Sequence, residues 1–132
     1  MSISFPASHA DLLESQVAAL STIDDAVFPQ TSLVWFLFED GQLKLSLNTD
    51  RAKVRFLRER PRCSLTLIDF ENPYRYLEVR GTVRLEPDDG YAFAERVGAK
   101  YGADLRTFDQ PGDTRLVAVI DPVKIHAVAI GG

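Results

Sequence analysis

Residues 74–85 alternate apolar and polar side chains with a period of two, and no other stretch constrains the fold as tightly. Leu77, Val79, Val83 and Leu85 fall on one face, with Tyr76, Glu78, Arg80, Thr82 and Arg84 on the other. That period belongs to a strand with one face on a core and one on solvent, the habit of antiparallel sheets. Gly81 in its middle predicts a bend or a close backbone approach. Residues 42–48 repeat the pattern, with Leu43, Leu45 and Leu47 inward and Lys44, Ser46 and Asn48 opposite. Glu39-Asp40-Gly41 before them reads as a hairpin turn. Residues 31–38 are apolar on both faces, Leu33, Trp35 and Leu37 against Val34, Phe36 and Phe38. Such a strand is buried on both sides, or packs one side against a subunit or ligand.

Further strands are expected at 16–23, 63–69, 114–120 and 125–130. A short helix is expected over 8–15, with Ser8 as N-cap and Asp11 completing a capping box. A second runs from about Asp50 and stops before Pro61, because proline disfavours helix in the residue ahead of it. A third covers 90–101, started by Asp88 and Asp89 and carrying Phe93, Val97 and Tyr101 at helical spacing. Strands in hairpin order with short helices predict a β-dominated α+β chain, a single domain over residues 1–132. The expected form is a six-stranded antiparallel barrel with two or three helices filling its ends.

Residues 51–62 carry the strongest functional signal. They hold six basic residues, Arg51, Lys53, Arg55, Arg58, Arg60 and Arg62, and one acid, Glu59, in a chain of net charge −4. The strand before them ends Ser46-Leu47-Asn48-Thr49-Asp50, delivering small polar residues to a basic helix N-terminus. Backbone N–H groups, the helix dipole, a guanidinium fork and an ammonium would converge there on one anion. On charge alone the same stretch also reads as a solvated helix face. The acidic remainder, with a pI near 5.1, opposes nucleic-acid binding by the molecule as a whole. No apolar run reaches the ~18–20 residues that span a bilayer, and the N-terminus lacks the pattern of a signal peptide. The single cysteine, Cys63, excludes an internal disulfide and suits a reducing cytoplasm. His9 and His126 stand far apart without a partner at metal-ligand spacing, so no metal site is expected. No nucleophile elbow, Walker loop or dinucleotide fingerprint appears, so the chemistry must come from a cofactor.

The run from Ser46 to Leu57 followed by Pro61-Arg62 resembles the cofactor-phosphate segment of the pyridoxamine 5'-phosphate oxidase-like split β-barrel (FMN-binding split barrel) proteins. Arg-Ala-Lys-Val-Arg at 51–55, Thr-Ser-Leu-Val-Trp-Phe at 31–36 and Asn-Pro-Tyr-Arg-Tyr-Leu-Glu-Val-Arg-Gly at 72–81 are similar to the branch that uses the deazaflavin coenzyme F-420 in place of FMN. The resemblance covers about residues 12–128. It implies a homodimer with a cofactor at each edge of the subunit interface, and a strand at 31–36 that backs the ring system. Ser46, Asn48, Arg51, Ala52 and Lys53 match positions near the phosphate and ribityl chain. Thr31 and Ser32 would meet the ring edge or chain, and Val34 and Trp35 would supply a wall. Flavin-binding members that oxidise pyridoxamine phosphate carry an arginine where Thr31 stands, so vitamin B6 oxidation is not expected.

The resemblance implies a cytoplasmic oxidoreductase, dependent on F-420 or alternatively FMN. It would transfer hydride to a small, planar, conjugated or quinone-like acceptor, with no catalytic side chain nameable and no nucleic-acid or membrane partner. A non-catalytic carrier of a cofactor, haem or another tetrapyrrole is the alternative from a different class.

Overall fold

The computed structural model describes residues 3–130. Seven strands form one antiparallel sheet: β1 (Ala18–Ile23), β2 (Pro29–Val34), β3 (Leu37–Glu39), β4 (Gln42–Asn48), β5 (Arg62–Ile68), β6 (Arg75–Pro87) and β7 (Arg115–Ala129). Their order across the sheet is β2-β1-β5-β6-β7-β4-β3. Two α-helices, α1 (Ala52–Glu59) and α2 (Ala92–Tyr101), accompany three 3-10 segments. No helix among the described residues is long and apolar enough to cross a membrane.

β2 and β3 lie at opposite edges of this sheet, yet only Trp35 and Phe36 separate them in the chain. Each residue spans at most ~3.6 Å, so the two edges have to meet. The sheet is therefore rolled into a barrel, with its seam at residues 35–36. The barrel has seven strands where six were expected: of the seven runs read from the sequence, 31–38 breaks in two at the seam. The runs 114–120 and 125–130, by contrast, join into the single strand β7. Between Gly81 and Arg80 the β6–β7 register slips from Pro122 to Lys124, leaving Val123 as a bulge. A Cβ on Gly81 would lie 2.5 Å from the Asp121 carbonyl oxygen, so glycine is required where the strands close up.

The alternation read from the sequence places the core. Leu43, Leu45, Leu47, Leu77, Val79 and Val83 are all buried inside the barrel. Asp40 and Gly41 both adopt positive φ, 53° and 75°, which matches a two-residue hairpin turn between β3 and β4. Of the two alternatives for 31–38, burial on both faces is excluded at Leu33, which is 70% exposed while Val34 and Phe36 are buried, which leaves the one-sided alternative. The expected helix over 8–15 is a 3-10 segment, Ala7–Glu14, without a side-chain cap. Ser8 Oγ bonds His9 Nδ1 instead, and Asp11 pairs with Arg75 at 2.6 Å. Asp88 does start α2, accepting the Phe93 and Ala94 N–H groups at 2.8 and 2.9 Å.

Candidate functional site

α1 follows the end of β4 after a bend at Thr49, Asp50 and Arg51, and no side chain caps its N-terminal N–H groups. No acid lies in its first turn either. The uncapped end is thus an electropositive surface in its own right. Lys53 is buried at 8% exposure, and its Nζ donates to Ser32 Oγ of β2 at 2.9 Å. Burial, with the Arg51 charge adding to it, holds its pKa below the ordinary lysine value. The ion pairs of this stretch are Arg55–Asp25 and Arg60–Glu59; Arg51, Lys53, Arg58 and Arg62 have no carboxylate within pairing distance among the described residues. A buried ammonium bonded to one neutral hydroxyl is an arrangement suited to an anion.

Beside this cradle lies a groove of about 260 Å³. Val34, Trp35, Ser46 and Arg51 line it, together with Phe108 and Arg115. Thr31, Ser32, Asn48, Ala52 and Lys53 do not line it. Thr31 stands exposed on the edge strand, its Oγ1 2.8 Å from Ser21 Oγ. Ala52 is the exposed first residue of α1. Ser46 Oγ accepts from Arg115 Nη1 at 3.2 Å.

Asn48 is engaged within the protein. Its Nδ2 donates to Asp109 Oδ1 at 3.0 Å and Asp113 Oδ2 at 2.9 Å, and its Oδ1 accepts the Asp50 N–H at 2.9 Å. Asp109 also receives Arg115 Nε at 2.7 Å, Arg115 Nη2 at 2.8 Å and the Tyr91 hydroxyl at 2.9 Å. Sequence reasoning missed this network, which fixes the Asn48–Arg51 bend from the segment between α2 and β7. The signal in the sequence was the pair of acids just ahead of Arg115, but their partner Asn48 lies 61 and 65 residues away.

The Arg115 guanidinium holds Asp109 at a pKa of about 2, against 3.8 ordinarily, with Asn48 and Tyr91 assisting. A carboxyl depressed on folding stabilises the protein above its unfolded value, and that contribution is lost as pH falls from about 4 toward 2. The pair is nearly inaccessible, so the loss is about 2 kcal/mol. Urea denaturation at pH 5 and pH 2.5 checks it: Asp109→Asn has a lower stability throughout and a shallower fall on acidification.

Other reactive groups serve the fold. Burial pushes the Cys63 thiol up to about 12, which leaves it a thiol at neutral pH. His9 is buried with Nε2 2.9 Å from the Val128 carbonyl oxygen and Nδ1 bonded to Ser8. No cluster of three potential metal ligands occurs among the described residues.

The sequence profile of the pyridoxamine 5'-phosphate oxidase family matches residues 5–129. Among solved structures, an F-420 reductase is similar at 32% identity and a TM-score of 0.81, over 92% of this chain and 98% of that one. A conserved hypothetical protein from Mycobacterium tuberculosis shares the fold at 22% identity and a TM-score of 0.75, over 96% of this chain and 85% of that one. So does HutZ, a haem storage protein from Vibrio cholerae, at 14% identity and a TM-score of 0.74, over 96% of each chain. No curated protein sequence matches significantly.

Proposed function

This chain belongs to the pyridoxamine 5'-phosphate oxidase family, and from that premise we propose that it is an oxidoreductase binding coenzyme F-420, with FMN as the alternative cofactor. The observation that carries this reading is Lys53, a buried cation paired only with Ser32 and lying in the first turn of an uncapped helix next to unpaired Arg51. The residues fit a phosphate-bearing cofactor: two unpaired cations and free backbone N–H groups suit one phosphate group. When bound, a reduced deazaflavin supplies a hydride to a planar, quinone-like acceptor. Lys53 and Arg51 hold the phosphate end in this reading. The β2 edge from Thr31 to Val34 backs the ring, and Trp35 walls the groove. No carboxylate or histidine lines the groove among the described residues, and in this reading solvent protonates the product.

The protein is also proposed to act as a homodimer in the cytoplasm. A groove of about 660 Å³ crosses the outer face of the barrel, floored by Ile23, Pro29 and Val123 and flanked by Arg62 and Arg80. With Phe28 68% exposed next to Pro29, and Leu33 70% exposed further along β2, a second copy of the chain is the occupant we assign to this face. It runs up to the β2 edge, which brings the partner beside the cofactor.

Titration of the purified protein with F-420 and, separately, FMN tests the reading. Trp35 is the sole tryptophan and lines the groove, so its emission reports binding alongside the cofactor's own. Micromolar or tighter F-420 binding, weakened at least tenfold by Arg51→Ala, is the expected result. Preferential FMN binding moves the protein to the flavin branch. If neither binds and haem does, the carrier reading replaces this one. Oxidation of bound, reduced F-420 by a panel of quinones then separates an enzyme from a carrier.

A further inference from the structure

We infer that Lys100 and Tyr101, in the last turn of α2, are positioning residues that set the span between the ring wall on β2 and the phosphate cradle on α1. The inference rests on the cofactor reading above and extends it to two residues that do not line the groove themselves, Tyr101 lying behind its Trp35 wall.

The barrel seam is two residues long, and its backbone groups lie outside the sheet's ladders. Phe36 would therefore leave a buried N–H and C=O without strand partners, an expensive arrangement. α2 supplies both. Tyr101 Oη accepts the Phe36 N–H at 3.1 Å and donates to the Phe36 carbonyl oxygen at 3.2 Å. Lys100 Nζ donates to the same carbonyl oxygen at 2.9 Å and to the Ser15 carbonyl oxygen at 2.8 Å. The ammonium also sits 3.8 Å from the centroid of the Phe36 ring. No carboxylate pairs with Lys100 among the described residues, so carbonyl oxygens and an aromatic face hold this charge at the seam. The Trp35 indole stacks on the Tyr101 ring, with centroids 4.3 Å apart and planes 5° from parallel. Phe108 closes edge-on against Trp35 at 5.9 Å.

The same stretch of chain holds the other end of the site. Asp109 and Asp113 grip Asn48 at the end of β4, and Arg115 grips Ser46. One continuous segment, from α2 to the start of β7, thus fixes β2 through Phe36 and the β4–α1 bend through Asn48. A cofactor with its ring on β2 and its phosphate at Lys53 bridges those two fixtures. Its fit depends on their separation. Releasing Phe36 lets the β2 edge move relative to α1, without removing any group that touches ring or phosphate.

The test compares Tyr101→Phe, which keeps the stack on Trp35 but loses both hydrogen bonds, with Lys100→Met and Lys100→Arg. Three affinities are measured for each full-length variant: intact F-420, inorganic phosphate, and a ring fragment without phosphate. Each variant's affinity for the two fragments should stay within about twofold of wild type, while intact F-420 weakens by about tenfold or more in Tyr101→Phe and Lys100→Met, as for loss of a bridging hydrogen bond. Lys100→Arg, which can still donate to Phe36 and Ser15, should recover part of the loss. Trp35 emission in the ligand-free protein should shift in Lys100→Met and Tyr101→Phe, reporting a loosened seam independently of any cofactor. Unchanged F-420 affinity, or an equal loss for F-420 and phosphate, overturns the inference. A wild-type protein that binds neither F-420 nor FMN overturns the functional reading first, and that is seen before any variant is compared.

Discussion

Lys53→Met abolishes most cofactor binding and stabilises the protein at the same time. The two effects have one origin. In the folded protein the ammonium is withdrawn from water, has one neutral partner in Ser32, and lies near the Arg51 charge. Replacing it by an apolar chain of similar length removes a desolvation cost, with a gain of about 1 kcal/mol and a rise in melting temperature of about 3 °C. A bound phosphate, in contrast, loses a charge-assisted hydrogen bond worth about 1.5–3 kcal/mol, or roughly 10- to 150-fold in affinity. A thermal melt without ligand and a fluorescence titration with F-420 together decide it. A variant that melts lower and binds equally well would show Lys53 to be a structural residue.

Arg115→Met carries the largest expected loss of stability. It leaves the Asp109 carboxylate, with only 4% of its side chain accessible, facing Asn48 and Tyr91 but no cation. Breaking a buried pair from one side costs about 3–5 kcal/mol, which lowers the melting temperature of a domain this size by about 10–15 °C. The double variant Arg115→Met with Asp109→Leu recovers a large part of that loss, because it removes the stranded charge. Urea denaturation of both variants checks the pair. A loss below ~1 kcal/mol in the single variant would mean that water reaches the carboxylate.

The alternation in 42–48 and 74–85 made the core legible residue by residue, since period two assigns each side chain to a face. The basic helix start at Arg51 and Lys53 was legible because β4, the bend and α1 are contiguous in the chain. The break at Trp35–Phe36 was not. Nothing local interrupts a strand there; the sheet's closure does, and closure is a property of the whole topology. The sequence was read as two strands, 114–120 and 125–130, but they run on as one, and a bulge at Val123 absorbs the irregularity. The roles of Tyr91, Lys100, Asp109 and Arg115 were hidden for a related reason. Each depends on a partner brought together only by the finished barrel.

That dependence also orders events in time. The β1–β2, β3–β4 and β5–β6 hairpins join neighbours in sequence and can close in microseconds. The β4–β7 ladder instead pairs Asn48 with Arg115 and Leu43 with Ile120, so it waits for a long loop to close. A nascent chain leaving the ribosome carries Lys53 and Ser32 well before it carries β7. It has the charges of the site and none of its architecture. A cofactor held as proposed would therefore not nucleate the fold from its N-terminal half, and its capture would report that the last strand is in place.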